Sequence, residues 1–464
     1  MKFSTLSNGF IASTSLAVQA LADCSYIAGN YYCSEIQAVT YENIGFSGSY
    51  QEVTAMNADG SCNFDSKSFS GTNAPLDQDL SVHFRGPLNS KQFAVYYPSS
   101  SSLNKRDDEE KDCSSTRVHH VHHNHKREAD PVFVTQTVQV TQIVQANVAA
   151  PTVSAADAAS SSVTGVAESV LVSNAPVASV QVGPGFVPAD SDSLSSSVVA
   201  SSPSVAEPSA TASNPASNIG GWARSSYFDA SSSSSSNLAF LNNLGGTAGS
   251  GVWSSSFGNS LSYCGKDGVS SSSESQTLGD VTIPSNSEYI IFSGEKCSGN
   301  SCGYYREGIP AYKGFSGSSK LFVFEFQMPT DTTSDSSVYN HDMPAIWLLN
   351  GKIPRTSQYS SCSCWKSGCG EFDIFEVLNS GNDKLTNHLH TWQGTNSLYG
   401  GGGTSDYFTR PLSSTMKAGV LFNGDKKTIS IFQIADDGTF GENVSDSTLS
   451  SWLSGQSASV FISS

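Results

Sequence analysis

The chain has 464 residues, too many for one compact domain unless much of it is not globular, and only 14% of them are charged. Against 41 acidic residues stand 24 basic ones, for a net charge of −17. That balance argues against nucleic acid or an anionic membrane as partner and is compatible with a neutral polysaccharide.

The N-terminus reads as a secretory signal over residues 1–22. Lys2 supplies the positive region, Phe10 to Val18 a short apolar core, and Ala20-Leu21-Ala22 a small-x-small cleavage site, so the mature chain begins at Asp23. The apolar stretch is too short and too broken by Ser and Thr to be an anchor, and no other segment is apolar enough to span a bilayer. A secreted chain makes its ten cysteines disulfide candidates. Cys24, Cys33, Cys62 and Cys113 precede a low-complexity region, and Cys264, Cys297, Cys302, Cys362, Cys364 and Cys369 follow it. Two even sets suggest two separately closed frameworks. Disulfides are favoured over a metal site at Cys362, Cys364 and Cys369, because matching His ligands are missing.

Residues 23–98 read as a small Cys-containing β module, with turn signals at Ser47-Gly48-Ser49 and Ala58-Asp59-Gly60 and a last strand at Gln92–Tyr97. It carries no catalytic constellation. Residues 99–218 are rich in Ser, Ala, Val and Pro and cannot bury enough surface to offset ordering entropy. They read as a stalk with O-linked sugars. Lys105-Arg106 and Lys126-Arg127 are candidate dibasic processing sites, and the run His119–His125 is a polar spacer, with adventitious metal binding as the alternative.

Residues 219–464 read as an all-β domain. Leu321–Met328 and Thr428–Ile434 are rich in large apolar residues, Asn423-Gly424-Asp425 is a turn, and long helical periodicity is absent. Length and strand count fit a two-sheet β-jelly-roll sandwich of the concanavalin-like kind. Asn443-Val444-Ser445 is the standard N-glycosylation sequon, expected on a surface turn.

The stretch Gly370–Val377 concentrates chemistry: Glu371, Asp373 and Glu376 are interleaved with Phe372, Ile374 and Phe375. In a strand alternate side chains share a face, so Glu371 and Asp373 point one way and Glu376 the other. One extra residue, a bulge near Ile374 or Phe375, brings Glu376 back. The two Glu Cα atoms then lie on the order of 13 Å apart. Inward-leaning side chains shorten this to the roughly 5–5.5 Å between carboxyl groups that a retaining glycosidase uses. An edge strand with a polar face is the alternative.

Glu-x-Asp-x-x-Glu resembles the bulged active-site strand of glycoside hydrolase family 16, the laminarinase-type jelly rolls. Met343–Leu349 before it and His388–Trp392 after it fit that layout. Ile353–Tyr359 and Cys362-Ser363-Cys364-Trp365 resemble more closely the fungal "target of SBF" cell-wall proteins, a family of expected glycosyl hydrolases. The resemblance implies Glu371 as nucleophile, Glu376 as general acid/base, and Asp373 as the group that orients Glu371 and separates the two carboxyl pKa values. It also places His390 beside the site, an ordinary polar strand residue being the alternative. Trp347 and Trp392 are candidate floors for glucosyl rings, because apolar sugar faces stack on indole; core packing is the alternative for either, and Trp347 is favoured for the cleft. An insert at Asn350–Gly370, carrying three cysteines and Trp365, shapes, biases or blocks the cleft. The implied protein is a secreted, monomeric, cofactor-free enzyme acting on wall β-glucan, by β-1,3-glucan hydrolysis or transglycosylation. The alternative is a structural or glucan-binding wall protein without turnover.

Overall fold

The computed structural model describes residues 24–99, 221–332, 335–395, 400–455 and 457–463. The signal segment, almost all of the stalk, the dibasic sites, the His run and Cys113 lie outside the described residues. Among the described residues no helix is long and apolar enough to cross a membrane.

The described chain is nearly all β, as expected, and is built from two large sheets. In the first, neighbours run Leu238–Asn242, Glu288–Ser293, Leu80–Arg85, Ala345–Asn350, Glu371–Glu376 and Lys384–His390. In the second they run Gly221–Asp229, Leu88–Pro98, Lys320–Gln327, Met416–Asn423, Thr428–Ile434 and Ala38–Glu42. Val82, Phe84, Ile346, Leu348 and Phe372 from the first sheet meet Phe322, Phe324, Val420, Ile429 and Ile431 from the second in one continuous core. The outer face of the second sheet is also covered: Tyr96, Val323, Leu421 and Phe432 pack under Phe440, Val444 and Leu449. This explains why Lys320–Gln327 is apolar on both faces.

The N-terminal segment is β and carries cysteines, as read, but it does not close on itself. Leu80–Arg85 lies between Glu288–Ser293 and Ala345–Asn350, and Leu88–Pro98 between Gly221–Asp229 and Lys320–Gln327. Pro98 pairs with Trp222, and Ser99 N donates to Gly221 O over 2.8 Å. The chain therefore leaves the sheet after Ser99 and re-enters it at Gly221 at paired positions of one antiparallel pair of strands. Buried apolar area explains the arrangement: Val82, Phe84, Phe93 and Val95 fill the core that the later strands build, and a module as short as residues 23–98 has little core of its own.

The cysteines sort differently from the expectation of two closed frameworks. Cys24–Cys33, Cys297–Cys302 and Cys364–Cys369 are local, but Cys62–Cys362 joins the two sets, and the buried Cys264 has no disulfide partner among the described residues. Cys62 belongs to a hairpin, Gly48–Met56 with Cys62–Phe69, that packs against the 350–370 insert. Further ties are the Lys352–Glu52 ion pair and the hydrogen bond from Gln51 N to Ser367 Oγ. Gly48 is not in a turn but begins this hairpin's first strand, where a Cβ would sit 2.9 Å from the rings of Phe46 and Phe69. Asn443–Ser445 likewise forms a short edge strand rather than a turn, with Asn443 exposed. Ser445 caps the helix Asp446–Trp452 by accepting from Thr448 N.

Candidate active site

The carboxylate strand Glu371–Glu376 pairs with Ala345–Asn350 on one side and Lys384–His390 on the other. Ile346 pairs with Phe375 and the next residue, Trp347, with Asp373, so Ile374 is the extra residue of a β-bulge. Its cause is visible in the packing. Phe372, Ile374 and Phe375 all enter the inter-sheet core, and strict alternation could not bury both Ile374 and Phe375. Burying both leaves Glu371, Asp373 and Glu376 together on the face away from the core.

Each carboxylate has its own partners. Tyr359 Oη donates to Glu371 Oε1 over 2.9 Å and accepts from Trp347 Nε1 over 2.9 Å. Trp365 Nε1 donates to Glu371 Oε2 over 2.5 Å. Asp373 Oδ2 lies 3.1 Å from His390 Nε2, and Glu376 Oε1 lies 3.2 Å from Arg85 Nη2. The His388 and His390 rings stand 4.4 Å apart on the same face. Burial first, then the charge of His390, pushes His388 down to about 4, so it is a neutral imidazole in the site.

Glu371 is 6% exposed because the insert covers it. Burial and the charge of Asp373 raise its carboxyl to about 7, against the pull of His390 and the Trp365 and Tyr359 donors. Asp373 is raised too, by burial and Glu376. A raised carboxyl means the folded chain holds a proton that the unfolded chain releases above about 4.5. Its stabilising contribution is full below that pH and is lost as pH rises through about 7. At about 1.4 kcal/mol per unit this amounts to ~3 kcal/mol. Wild type is therefore expected to lose ~3 kcal/mol relative to Glu371→Gln between pH 4 and pH 8. Denaturant titrations of both chains at the two pH values measure it, and a constant difference would contradict it.

The aromatic expectations fare unevenly. Trp347 is on the carboxylate face but only 5% exposed, stacked on His83 at 5.0 Å and bonded to Tyr359. A ring covered on this scale supports the site rather than offering a face to sugar. Trp392 is half-buried against Gly368, where a Cβ would come within 2.5 Å of the indole. Its Nε1 is buried with no hydrogen-bond partner among the described residues. His390 lies beside the carboxylates, where the resemblance put it.

Sequence reasoning missed the contribution of the N-terminal segment, which it read as free of site residues. Arg85 and His83 come from Leu80–Arg85, and register across the sheet aligns Glu288, Arg85, Ala345 and Glu376 in one row. His83 Nδ1 sits 2.7 Å from Glu288 Oε1, and Gln358 Nε2 donates to the same oxygen over 3.2 Å. The available signal was the alternation Ser81, His83, Arg85 against Val82, Phe84: one polar face of a strand whose other face is core. Tyr359 and Trp365 stood out in the sequence only within the motifs of the family resemblance and the Cys-rich insert, with nothing to assign them to Glu371.

Residues 220–452 match the family model for the C-terminal part of the cell wall protein YJL171C/Tos1, and residues 37–98 match the model for its N-terminal part. A Candida albicans protein named "Probable circularly permuted 1,3-beta-glucanase TOS1" is 49% identical over 472 residues, covering 98% of each chain. Its Saccharomyces cerevisiae namesake is 47% identical over 462 residues, covering 93% of each. A Schizosaccharomyces pombe relative, also named a probable circularly permuted 1,3-beta-glucanase, is 39% identical over 511 residues, covering 95% of each. No solved structure matches the chain. With relatives this similar along nearly its whole length, the chain belongs to the YJL171C/Tos1 family of cell wall proteins.

Proposed function

We propose that this protein is secreted to the cell wall and, as a monomer, cleaves or transfers β-1,3-glucan with retention of anomeric configuration. The observation that carries the reading is the bulge at Ile374, which sets Glu371, Asp373 and Glu376 on one face beside His390 and Arg85. The printed names of the relatives support a β-1,3-glucan substrate. Their description as circularly permuted agrees with two sheets in each of which a strand from residues 80–98 sits between strands from residues 221–350.

In this mechanism the Glu371 carboxylate attacks the anomeric carbon while Glu376 gives its proton to the departing glycosidic oxygen. Water or an acceptor sugar, deprotonated by Glu376, then releases the glycosyl group from Glu371. The Tyr359 and Trp365 donors fix both Glu371 oxygens and favour its anion. Burial first, then the negative charge of Asp373, raises the Glu371 carboxyl to about 7, so the nucleophile is ionised fully only above that pH.

One observation favours the second reading, a glucan-binding wall protein without turnover. The Asn350–Gly370 insert lies over Glu371 through Tyr359 and Trp365. Incubating the purified chain with soluble laminarin separates the two. The expected result is a ladder of smaller or lengthened oligosaccharides by mass spectrometry, with β-anomers appearing first by NMR. Unchanged laminarin across pH 4–8, or α-anomers first, contradicts the retaining-enzyme reading.

A further inference from the structure

The first described strands form a small hairpin, Ser25–Ile27 with Asn30–Tyr32, closed by the Cys24–Cys33 disulfide. Tyr26 and Tyr31 are cross-strand partners on its outer face, 63% and 60% exposed, with ring centroids 4.7 Å apart. Two large aromatic rings held side by side in water forgo the burial that usually places tyrosines inside, and a ligand that covers them recovers it.

The location of the hairpin says which ligand. Tyr32, the next residue after Tyr31, turns inward and its Oη donates to Asn379 Oδ1 over 3.2 Å, three residues past Glu376. The Lys384 ammonium stands 5.9 Å from the Tyr32 ring and 5.1 Å from the Tyr407 ring. Lys384 shares its strand face with Thr386, which pairs with Glu376, and with His388 and His390. Cys33 N donates to Ser405 O over 2.8 Å and Ser34 N to Asp406 Oδ1 over 3.1 Å, which pins the hairpin to this rim. The hairpin that carries the paired rings is thus anchored near the Glu376 end of the strand Lys384–His390. The axial C–H faces of β-glucose are apolar and flat enough to lie on a tyrosine ring, and a neutral sugar meets no penalty from a chain of net charge −17.

We propose that Tyr26 and Tyr31 form an outlying subsite that stacks on pyranose rings of a β-glucan chain running past Glu376. The inference rests on the glucan reading above and adds a second point of contact beyond the carboxylates.

The test compares wild type with the Tyr26→Ser/Tyr31→Ser and Tyr26→Phe/Tyr31→Phe double variants. Retardation in laminarin-containing native gels reads binding, and kcat/KM for laminari-oligosaccharides of increasing length reads its use. The Ser variant is expected to bind laminarin about 5–10-fold more weakly and to lose the gain in kcat/KM with chain length, on the scale of two lost ring contacts. The Phe variant keeps both, because the ring face and not the hydroxyl makes the contact. Equal retardation of wild type and the Ser variant overturns the subsite, as does a Phe variant as weak as Ser, or a wild type that laminarin does not retard. If wild type is retarded by Tyr-dependent contacts but releases no product, the glucanase reading fails and the subsite stands. If laminarin is cleaved and the Ser variant binds normally, the reverse holds. The single Tyr26→Ser and Tyr31→Ser variants, checked for an unchanged thermal midpoint, replace the double one should it fold poorly.

Discussion

Glu371→Gln is expected to remove the proposed glucan cleavage by a factor on the order of 10⁴ or more, with folding intact. The amide keeps the shape of the carboxylate and one acceptor for Tyr359 or Trp365 but cannot form the bond to the anomeric carbon. Glu376→Gln separates the roles. It loses on the order of 10²–10⁴ on glucan, whose leaving group needs a proton, and much less on an aryl glucoside that needs none. Asp373→Asn falls between them, because it breaks the orienting contact with His390 and relieves the charge beside Glu371 without removing a bond-making atom. Its acid limb of kcat/KM moves to lower pH, since Asp373 is one of the causes that raise Glu371. Initial rates on laminarin and on an activated glucoside, for the three variants across pH 4–8, check the set. Equal losses of less than about tenfold would assign the carboxylates to binding and not to bond breaking.

Asp342→Ala costs about 3–5 kcal/mol of stability, read as a fall in the denaturant midpoint. The Asp342–Arg410 pair is the most buried ion pair among the described residues, with side chains 3% and 1% exposed and 2.5 Å between Oδ1 and Nη2. Arg410 also donates to the carbonyls of Met328, Pro329 and Asn382, so it gathers three segments at the Glu376 end of the sheet. Removing the carboxylate leaves a buried guanidinium without its counter-charge. Arg410→Met combined with Asp342→Leu removes both charges and is expected to cost less than either single change. The effect reaches the site through the backbone. Met343, next to Asp342, accepts from Arg85 Nε over 2.8 Å, and Arg85 holds Glu376. Asp342→Ala chains that still fold are therefore expected to show a lower kcat for the proposed glucan cleavage. A stability loss below about 1 kcal/mol would show that the pair is not what orders these loops.

Features that depend on near neighbours along the chain were legible in the residues alone. Thr428–Ile434 is a strand with the bounds its apolar run suggests, and Asn423-Gly424-Asp425 turns into it. The three carboxylates could share a face only through a bulge, and the parity of Glu371 and Glu376 located that bulge at Ile374 or Phe375. Alternation is a property of six consecutive residues, so no partner strand was needed to see it. Which strands meet was decided by tertiary structure. Arg85 reaches Glu376 across 291 positions, and Cys62 reaches Cys362 across 300. Both follow from the burial of Val82, Phe84, Phe93 and Val95 in a core built mainly by the later part of the chain. The same holds for the cover over Glu371. The insert was legible as an insert, but Tyr359 and Trp365 donate to the two oxygens of one carboxylate only because the 48–69 hairpin and the Cys62–Cys362 bond hold it down on the sheet. Local periodicity specifies the conformation of a strand and the side each residue takes; its neighbours in the sheet are chosen by the apolar area their pairing removes from water, a sum over residues hundreds of positions apart.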